Sequence, residues 1–325
     1  MRSSIQALGS FLPGKMVCND ELIQFPSGAR SLIRIKTGIE GRYYADDNET
    51  VSVMGAKAAR ICLTNSDVDK ERIDGIIVAT SSPDRILPPS ATAIQAMVGV
   101  ENSFAFDINA VCSGGIYGIA VADAFVRSGM YRNILVVAAE KYSSFLNPID
   151  FSTRPYFGDG AAALILSCAP DDSPGVLTTA IFADGNGSEL IEIPAGGSSL
   201  PGWKVDNHSN FYFKMDGRKV YEFVTKKVPL VIECLLHNSS ISIKDVKKII
   251  PHQANVNLIK DLAKRMGLQE DKFYINAQYV GNTAAASVLI ALDEAVSTGV
   301  VGKGDIVLLV AFGGGLTWGG ALVRI

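Results

Sequence analysis

The chain has 325 residues, of which 48% are hydrophobic and 19% charged, so it can bury a large core as one big domain or two fused ones, and disorder is excluded. The formal net charge of −3 excludes a global positive field that would hold nucleic acid or an anionic membrane. The five cysteines lack CxxC and CxxH spacing, which argues against a disulfide framework or a zinc site. Without a signal-peptide pattern or a membrane-spanning apolar run, we expect a soluble cytoplasmic protein.

Short runs rich in Val, Ile and Leu alternate with helical patterns along the chain. The runs predict strands that are buried on both faces, at residues 74–80, 133–140, 247–253 and 305–312. Apolar residues at helical spacing, closed by a glycine, predict helices over 114–129 and 284–299. Strands that alternate with helices in this way predict an α/β architecture.

The spacing of these elements repeats, which indicates an internal duplication. The two predicted strands of the first half are separated by the same interval as the two of the second half. Gly129 and Gly299 close the two helices with a spacing of about 170 residues, and the same spacing separates Cys112 from Asn282. We therefore predict that each half contributes one active-site position at the same structural place. Coincidence between common βα patterns is the alternative.

A cluster of Asp, Ser, Pro and Gly at 168–176 predicts the boundary between the halves. Residues 1–172 then form an N-terminal half that carries a nucleophilic cysteine, and residues 173–325 a C-terminal half that carries a histidine and an asparagine. Residues 185–215 are rich in Gly, Ser and Asn, and they either cap a substrate entrance or form plain surface loops.

Cys112 is the candidate nucleophile. It stands between an apolar run and the start of helix 114–129. The positive end of a helix dipole and its unpaired N–H groups favour thiolate over thiol, so we expect a lowered pKa for Cys112. The same N–H groups can hold the oxyanion of a thioester under attack. The other cysteines are interpreted as inert buried residues.

His252 and Asn282 are the candidate partners of the cysteine. His252 follows a buried-strand pattern, where a strand-to-helix junction would place it in a site. Asn282 precedes the second small-residue helix start, where the simplest alternative role is an N-cap. A papain-like hydrolase also combines Cys, His and Asn, but its aromatic residue after the cysteine is absent and the repeated α/β layout does not fit it.

Five motifs in fixed order connect these residues: VCSGG around Cys112, FGDGAAA at 157–163, PHQAN at 251–255, GNTAAAS at 281–287 and the C-terminal AFGGGLTWGGALVRI. Together they resemble the β-ketoacyl-acyl carrier protein synthase III family of bacterial fatty acid synthesis. The similarity starts at GSFLPGK near the N-terminus and covers the chain end to end.

The resemblance implies a thiolase-like fold, an internally duplicated five-layer αβαβα arrangement, and a homodimer that uses no cofactor. It implies that an acyl-thioester, typically acyl-CoA, acylates Cys112, and that malonyl-acyl carrier protein then loses CO2 and attacks the acyl-enzyme. Neutral donors from His252 and Asn282 would stabilise the enolate. The backbone N–H groups of Cys112 and Gly314 match the oxyanion hole of the family.

The resemblance also assigns substrate contacts, and at two of these positions this chain departs from the family. Leu87, next to Ile86, falls near the chain-length gate at the dimer interface, and Phe157 is assigned to substrate binding. Leu32 stands where well-known members have a Trp and Phe151 where they have an Arg, the pair that sandwiches the CoA adenine. We therefore expect weaker CoA binding or a different thioester donor.

A basic surface for an acidic carrier protein is expected at Arg218, Lys264 and Arg265, with Lys219 beside them. The family's basic docking residue after HQAN is Asn257 here. Ordinary solvated charges are the alternative interpretation of these residues.

Other activities of the superfamily fit the motifs less well. A true thiolase has a second cysteine in a C-terminal CxG motif, which AFGGGLTWG lacks, and elongating synthases use two histidines. A specialised homologue for secondary metabolites or polyketides, with a non-acetyl donor, remains an alternative. So do acyl transfer without decarboxylation and a non-catalytic subunit, although Cys112, His252 and Asn282 are all present.

Overall fold

Two mixed sheets form the centre of the computed structural model, which describes residues 2–170 and 173–325. The strands are, in chain order, β1 (Arg2–Phe11), β2 (Met16–Cys18), β3 (Gly41–Tyr43), β4 (Gly75–Ala79), β5 (Phe104–Ile108), β6 (Asn133–Glu140), β7 (Gly160–Ala169), β8 (Gly175–Ala183), β9 (Ile191–Glu192), β10 (Lys214–Met215), β11 (Val246–Pro251), β12 (Ile306–Gly313) and β13 (Thr317–Arg324). The order is β1-β7-β6-β4-β5 in the first large sheet and β11-β12-β13-β8 in the second.

The central strands have the same arrangement in both sheets. β4 runs parallel to β6, and β11 runs parallel to β12. An antiparallel strand follows in each case, β7 in the first sheet and β13 in the second. These central strands are buried along almost their whole length. Because both of their faces are buried, their sequences are continuous apolar runs. The four predicted strands coincide with β4, β6, β11 and β12, with small shifts at their ends.

The helices lie in layers outside and between the sheets. They are α1 (Ser27–Thr37), α2 (Val51–Thr64), α3 (Ser90–Val98), α4 (Gly114–Arg127), α5 (Gly217–Ser239), α6 (Val256–Arg265), α7 (Ala277–Val280) and α8 (Ser287–Ser297). One apolar core joins α2 and α3 to the first sheet, and another joins α5 and α6 to the second. Between the sheets, α4 and α8 share a third core with both. This is the predicted five-layer αβαβα arrangement, and the predicted α/β fold is confirmed.

The turn before each central helix is built in the same way. Val111 has φ of 48° and opens a single 3-10 turn that leads into α4 at Gly114. Ala284 has φ of 44° and opens the equivalent turn that leads into α8 at Ser287. Positive φ is costly for residues with a Cβ, so this shared strain supports the duplication.

The predicted equivalence of Cys112 and Asn282 is wrong. Cys112 is the second residue of the first turn, and the second residue of the other turn is Ala285. Asn282 lies further upstream, before the second turn begins. The error arose because α8 has 11 residues and α4 has 14, so the spacing of the helix ends does not apply at the helix starts.

The connection between the two sheets runs from Ala169, the end of β7, to Gly175, the start of β8. The predicted boundary between residues 172 and 173 involves Asp172, which lies outside the described residues, so this boundary stays a prediction. Among the described residues, no helix combines the length and the apolar character that crossing a bilayer requires.

Candidate active site

Cys112 lies at the carboxyl edge of the first sheet, in the connection between β5 and α4. Its side chain is 7% exposed. Gly313, at the end of β12, lies against it: a Cβ on this glycine would be 2.7 Å from the backbone N of Cys112. Ser113 fixes the turn from the other side, because its hydroxyl donates to the carbonyl of Thr317 at 2.9 Å. The second half of the chain therefore positions the nucleophile of the first.

His252 follows directly after β11, and its backbone N–H donates to the carbonyl of Val310 at 2.7 Å. The imidazole ring packs edge-on against Phe312, with 5.0 Å between centroids. Its Nδ1 lies 2.7 Å from Oγ of Ser287, the first residue of α8. Ser287 Oγ also accepts the backbone N–H of Gln253 at 3.3 Å, so its own proton is available to Nδ1. This pattern favours the neutral tautomer with the proton on Nε2.

Asn282 is fixed by three hydrogen bonds of its own. Its backbone N–H donates to the carbonyl of Tyr156 at 2.8 Å, and its carbonyl accepts the N–H of Gly158 at 2.9 Å. Its side-chain Oδ1 accepts the N–H of Ala284 at 2.9 Å. The side chain thus holds the first residue of the turn before α8, but the N-cap position of that turn is Thr283, so the simpler alternative of an N-cap role for Asn282 is wrong. The NH2 group of Asn282 remains as a donor.

One buried cavity of about 50 Å³ brings the three predicted residues together. Its lining combines polar groups and apolar walls: Cys112, Phe157, Ile191, Phe213, Met215, Val220, Phe223, His252, Ala254, Asn282, Phe312 and Gly313. Phe157 is therefore at the site, as predicted. Gly313 lines the cavity, whereas Gly314, the predicted oxyanion donor, is the next residue and packs towards Ile191.

Burial sets the charge state of the catalytic candidates. It raises the pKa of the Cys112 thiol above its ordinary value, and the nearby Glu140 acts in the same direction. The lowered pKa expected from the helix terminus is therefore wrong, because apolar enclosure outweighs the dipole. Burial lowers the pKa of His252 to about 3, so the ring is neutral at pH 7. The site at rest holds a thiol and a neutral imidazole.

Sequence reasoning missed the aromatic group around the cysteine. Tyr142 stacks on Phe157 with 4.9 Å between centroids, and Phe213 packs against both rings. These side chains belong to one buried cluster with Cys112. Tyr142 follows shortly after β6 at the carboxyl edge of the sheet, and this position was the available signal. Ser287, the last residue of GNTAAAS, was missed as the partner of the histidine.

The remaining predicted residues lie away from this cavity. Leu87 is 76% exposed and is absent from the cavity lining. Arg218 is exposed and pairs with Glu222 at 3.2 Å, and Arg265 pairs with Asp261 at 2.6 Å. Lys264 is exposed beside Arg265. The structure therefore does not join them to the cysteine, and their roles stay predictions.

Leu32 and Phe151, the two positions that the resemblance assigns to contact with the CoA adenine, lie near the surface. Leu32 is on α1 and 41% exposed. Phe151 packs edge-on against Phe25, with 5.3 Å between centroids, and Lys36 Nζ lies 5.8 Å from its ring centroid. The Phe151 ring is thus already engaged in a small apolar cluster.

Comparison of the sequence with known proteins indicates one family. The profile of 3-oxoacyl-[acyl-carrier-protein (ACP)] synthase III matches residues 106–185, and that of its C-terminal part matches 236–325. β-Ketoacyl-[acyl-carrier-protein] synthase III of Ehrlichia canis is 40% identical over 324 residues, which cover 100% of this chain and 99% of that protein.

Solved structures give the same result. 3-Oxoacyl-[acyl-carrier-protein] synthase III from Aquifex aeolicus is 36% identical with a TM-score of 0.90, covering 99% of this chain and 100% of that one. The priming β-ketosynthase from the R1128 polyketide biosynthetic pathway is 32% identical with a TM-score of 0.91, covering 99% and 96%. Because these likenesses extend over the whole chain, it belongs to the β-ketoacyl-[acyl-carrier-protein] synthase III family, whose members are acyltransferase-type condensing enzymes with the thiolase-like fold.

Proposed function

We propose that this condensing enzyme transfers an acyl group from acyl-CoA to Cys112 and then joins it to the malonyl group of malonyl-acyl carrier protein. The products are CO2, CoA and a β-ketoacyl-carrier. One observation supports the assignment most directly: Cys112, His252 and Asn282 line a single buried cavity with apolar walls. A nucleophile beside two neutral hydrogen-bond donors suits a reaction in which an enolate forms next to an acyl-enzyme.

The first half-reaction is transacylation. The sulfur of Cys112 forms a bond to the acyl carbon, and the bond from that carbon to the CoA sulfur breaks. Because burial raises the pKa of Cys112, its proton must leave as the thiol attacks, and it ends on the CoA sulfur. The oxyanion of the tetrahedral intermediate is held by backbone N–H groups, for which we retain Cys112 and Gly314 as the proposed donors.

The second half-reaction is decarboxylative condensation. The malonyl carboxylate leaves as CO2, and its electron pair forms the enolate of the carrier-bound thioester. Nε2–H of His252 and the NH2 group of Asn282 donate to the enolate oxygen. The carbanion attacks the acyl carbon and expels the Cys112 thiolate, which takes a proton from solvent. No cofactor is needed, since the loss of CO2 generates the carbon nucleophile.

The carrier protein is proposed to dock beside the first turn of α5. That helix contributes Val220 and Phe223 to the cavity lining, and Arg218 and Lys219 are exposed next to them. Positive side chains there would attract an acidic carrier. We also propose a homodimer in the cytoplasm. Ile86 and Leu87 support it, because they are 81% and 76% exposed and form an apolar patch of the kind found at interfaces.

The test is intact-protein mass after acetyl-CoA and then malonyl-acyl carrier protein are added to wild type and Cys112→Ala. We expect an acyl adduct on wild type that disappears as the β-ketoacyl-carrier forms, and no adduct on Cys112→Ala. Cys18 is exposed, so its interpretation as a buried residue is wrong. Cys18→Ala therefore removes an accessible thiol and is the matched control, which should behave as wild type. An adduct that persists in Cys112→Ala would contradict the proposal.

A specialised role in polyketide priming is the second candidate. It is favoured by the 32% identity to the R1128 priming β-ketosynthase, which is similar to the 36% identity to the Aquifex protein. Leu32 and Phe151 support the same alternative, because they replace the Trp and Arg that the resemblance assigns to the contact with the CoA adenine. Competition between acyl-CoA and acyl-carrier donors for the same cysteine separates the two roles: preference for a carrier-bound or non-acetyl donor would support the specialised one.

A further inference from the structure

Among the described residues, Arg42 in β3 is the largest side chain that the fold buries completely. Its guanidinium donates only to neutral oxygens. Nη1 donates to the carbonyl of Val17 at 3.0 Å, and Nη2 donates to Oδ1 of Asn19 at 2.6 Å and to the carbonyl of Pro155 at 2.8 Å. Nε is buried without a partner. Within the described part of the chain, this cation therefore has no carboxylate to offset its charge.

A buried cation without a counter-charge costs free energy, because no ion pair compensates for its lost hydration. Burial accordingly lowers the pKa of the Arg42 guanidinium below its ordinary value. An apolar side chain of similar volume would fill the same space at a lower cost. The position therefore calls for a task that suits a guanidinium, whose planar fork can bind several carbonyl oxygens in one fixed geometry.

The stem of Arg42 packs against the backbone on two sides of Asn282. A Cβ added to Gly281 would lie 2.9 Å from Cβ of Arg42, and a Cβ added to Gly158 would lie 3.3 Å from the same atom. Gly281 directly precedes Asn282, and the N–H of Gly158 donates to the carbonyl of Asn282 at 2.9 Å. The two glycines permit this close approach because they lack a Cβ.

The guanidinium of Arg42 holds the segment to which Asn282 is bonded. Pro155, whose carbonyl accepts from Nη2, is followed directly by Tyr156. The carbonyl of Tyr156 accepts the backbone N–H of Asn282 at 2.8 Å. Phe157 and Asn282 form a parallel bridge, and both line the active-site cavity. Arg42 thus fixes the short segment 155–158, and this segment fixes the backbone of Asn282.

We infer that Arg42 is a positioning residue for Asn282, and that its guanidinium and stem together aim the Asn282 amide at the reacting thioester. The inference rests on the proposed function, in which Asn282 donates to the enolate during condensation only. Arg42 is not among the residues that line the cavity, so its effect on the reaction passes through Asn282. Its loss should therefore slow condensation and leave the acylation of Cys112 close to normal.

The experiment measures acylation and condensation separately, in single turnovers with acetyl-CoA and malonyl-acyl carrier protein. Arg42→Met should slow condensation by about tenfold to a hundredfold, since a misplacement of about 1 Å can cost that much, and acylation should change far less. Arg42→Lys, which keeps the charge but reaches fewer acceptors, should lie between wild type and Arg42→Met. Arg154→Met is the matched control, because the Arg154 side chain is directed at Ser143 and Tyr44 and should not separate the two half-reactions.

A double-mutant cycle tests whether Arg42 acts through Asn282. In the Asn282→Ala background no amide remains to be aimed, so adding Arg42→Lys should slow condensation little further. Asn19→Ala replaces the Arg42 variants if they do not fold. It removes one acceptor of the guanidinium and leaves Arg42 in place, so condensation should slow in the same direction by a smaller factor.

Three outcomes would overturn the inference. The Arg42 variants, or Asn19→Ala in their place, could leave condensation unchanged, they could slow acylation as much as condensation, or their full effect could persist in the Asn282→Ala background. In each of these cases wild type still condenses, so the proposed function survives. A wild type that forms no β-ketoacyl-carrier, or an Asn282→Ala variant that condenses at the wild-type rate, contradicts the proposed function itself, and with it this inference.

Discussion

The turn before α4 and the turn before α8 have the same backbone and carry different chemistry. Each opens with a strained residue, Val111 with φ of 48° and Ala284 with φ of 44°, and each continues through one 3-10 turn into a helix. The second position is Cys112 in the first turn and Ala285 in the other. In the second half the functional side chain, Asn282, lies before the turn and accepts a hydrogen bond from the backbone N–H of Ala284.

This difference shows how a duplicated fold divides one reaction between its halves. The first half presents a nucleophile at the helix start, and the second half presents hydrogen-bond donors. The two helix starts meet directly, because a Cβ on Gly115 of α4 would lie 2.7 Å from the carbonyl oxygen of Ala285. The shared backbone fixes the geometry, and substitution at a few positions supplies the separate roles.

The largest effect should come from removing the donors of the second half. His252→Ala and Asn282→Ala should each slow condensation by about a hundredfold to a thousandfold, as loss of a single oxyanion donor does. Acylation of Cys112 should change far less, because the nucleophile belongs to the other half. Single-turnover measurement of each half-reaction checks this division.

His237→Ala is the matched control for the histidine, since His237 is exposed near the end of α5. It should leave both half-reactions unchanged. If His252→Ala slowed acylation as strongly as condensation, the histidine would also act on the thiol, and the proposed division between the halves would be wrong.

The next largest effect should come from the contact between the helix starts. Gly115→Ala places its methyl group against the carbonyl oxygen of Ala285, so the turns must separate. We expect the free energy of unfolding to fall by about 1–3 kcal/mol, as for other overpacked positions. Gly28→Ala is the control: Gly28 lies in α1 with open space at its Cβ, and alanine there should stabilise by up to about 1 kcal/mol. Chemical denaturation measures both, and equal effects at the two glycines would refute the packing argument.

Much of the fold, and the three residues that the two halves contribute to the active site, could be predicted from the sequence. The buried strands and central helices give continuous apolar runs and helical spacing, and Cys112, His252 and Asn282 stand where those patterns end. The position of the Tyr142 ring beside Cys112 could not be predicted, because it depends on side chains far apart in sequence. The Tyr142 hydroxyl lies 2.9 Å from Oγ of Ser81, which in turn donates to Glu140, and these residue types are common elsewhere. The raised pKa of Cys112 could not be predicted either. The sequence indicates the helix start, which would lower the pKa, but it does not indicate the aromatic rings whose packing buries the thiol and raises it.

The smallest effect concerns Ser287, the positioning residue behind His252. Ser287→Ala removes the hydroxyl that directs Nδ1, so we expect condensation to slow by about tenfold, the value of one buried hydrogen bond. Ser287→Thr keeps a hydroxyl and should restore most of the rate. The same variant also has an expected pH profile. Burial, rather than Ser287, lowers the pKa of His252 to about 3, so the imidazole stays neutral above that pH in wild type and in Ser287→Ala. His252 should therefore add no titration step to the condensation rate between about pH 5 and 8 in either protein, so the variant differs from wild type in rate and not in pH profile. A new step near pH 6.5 in Ser287→Ala, or a failure of threonine to restore the rate, would mean that the serine acts by packing or solvent exclusion and not by orienting the imidazole.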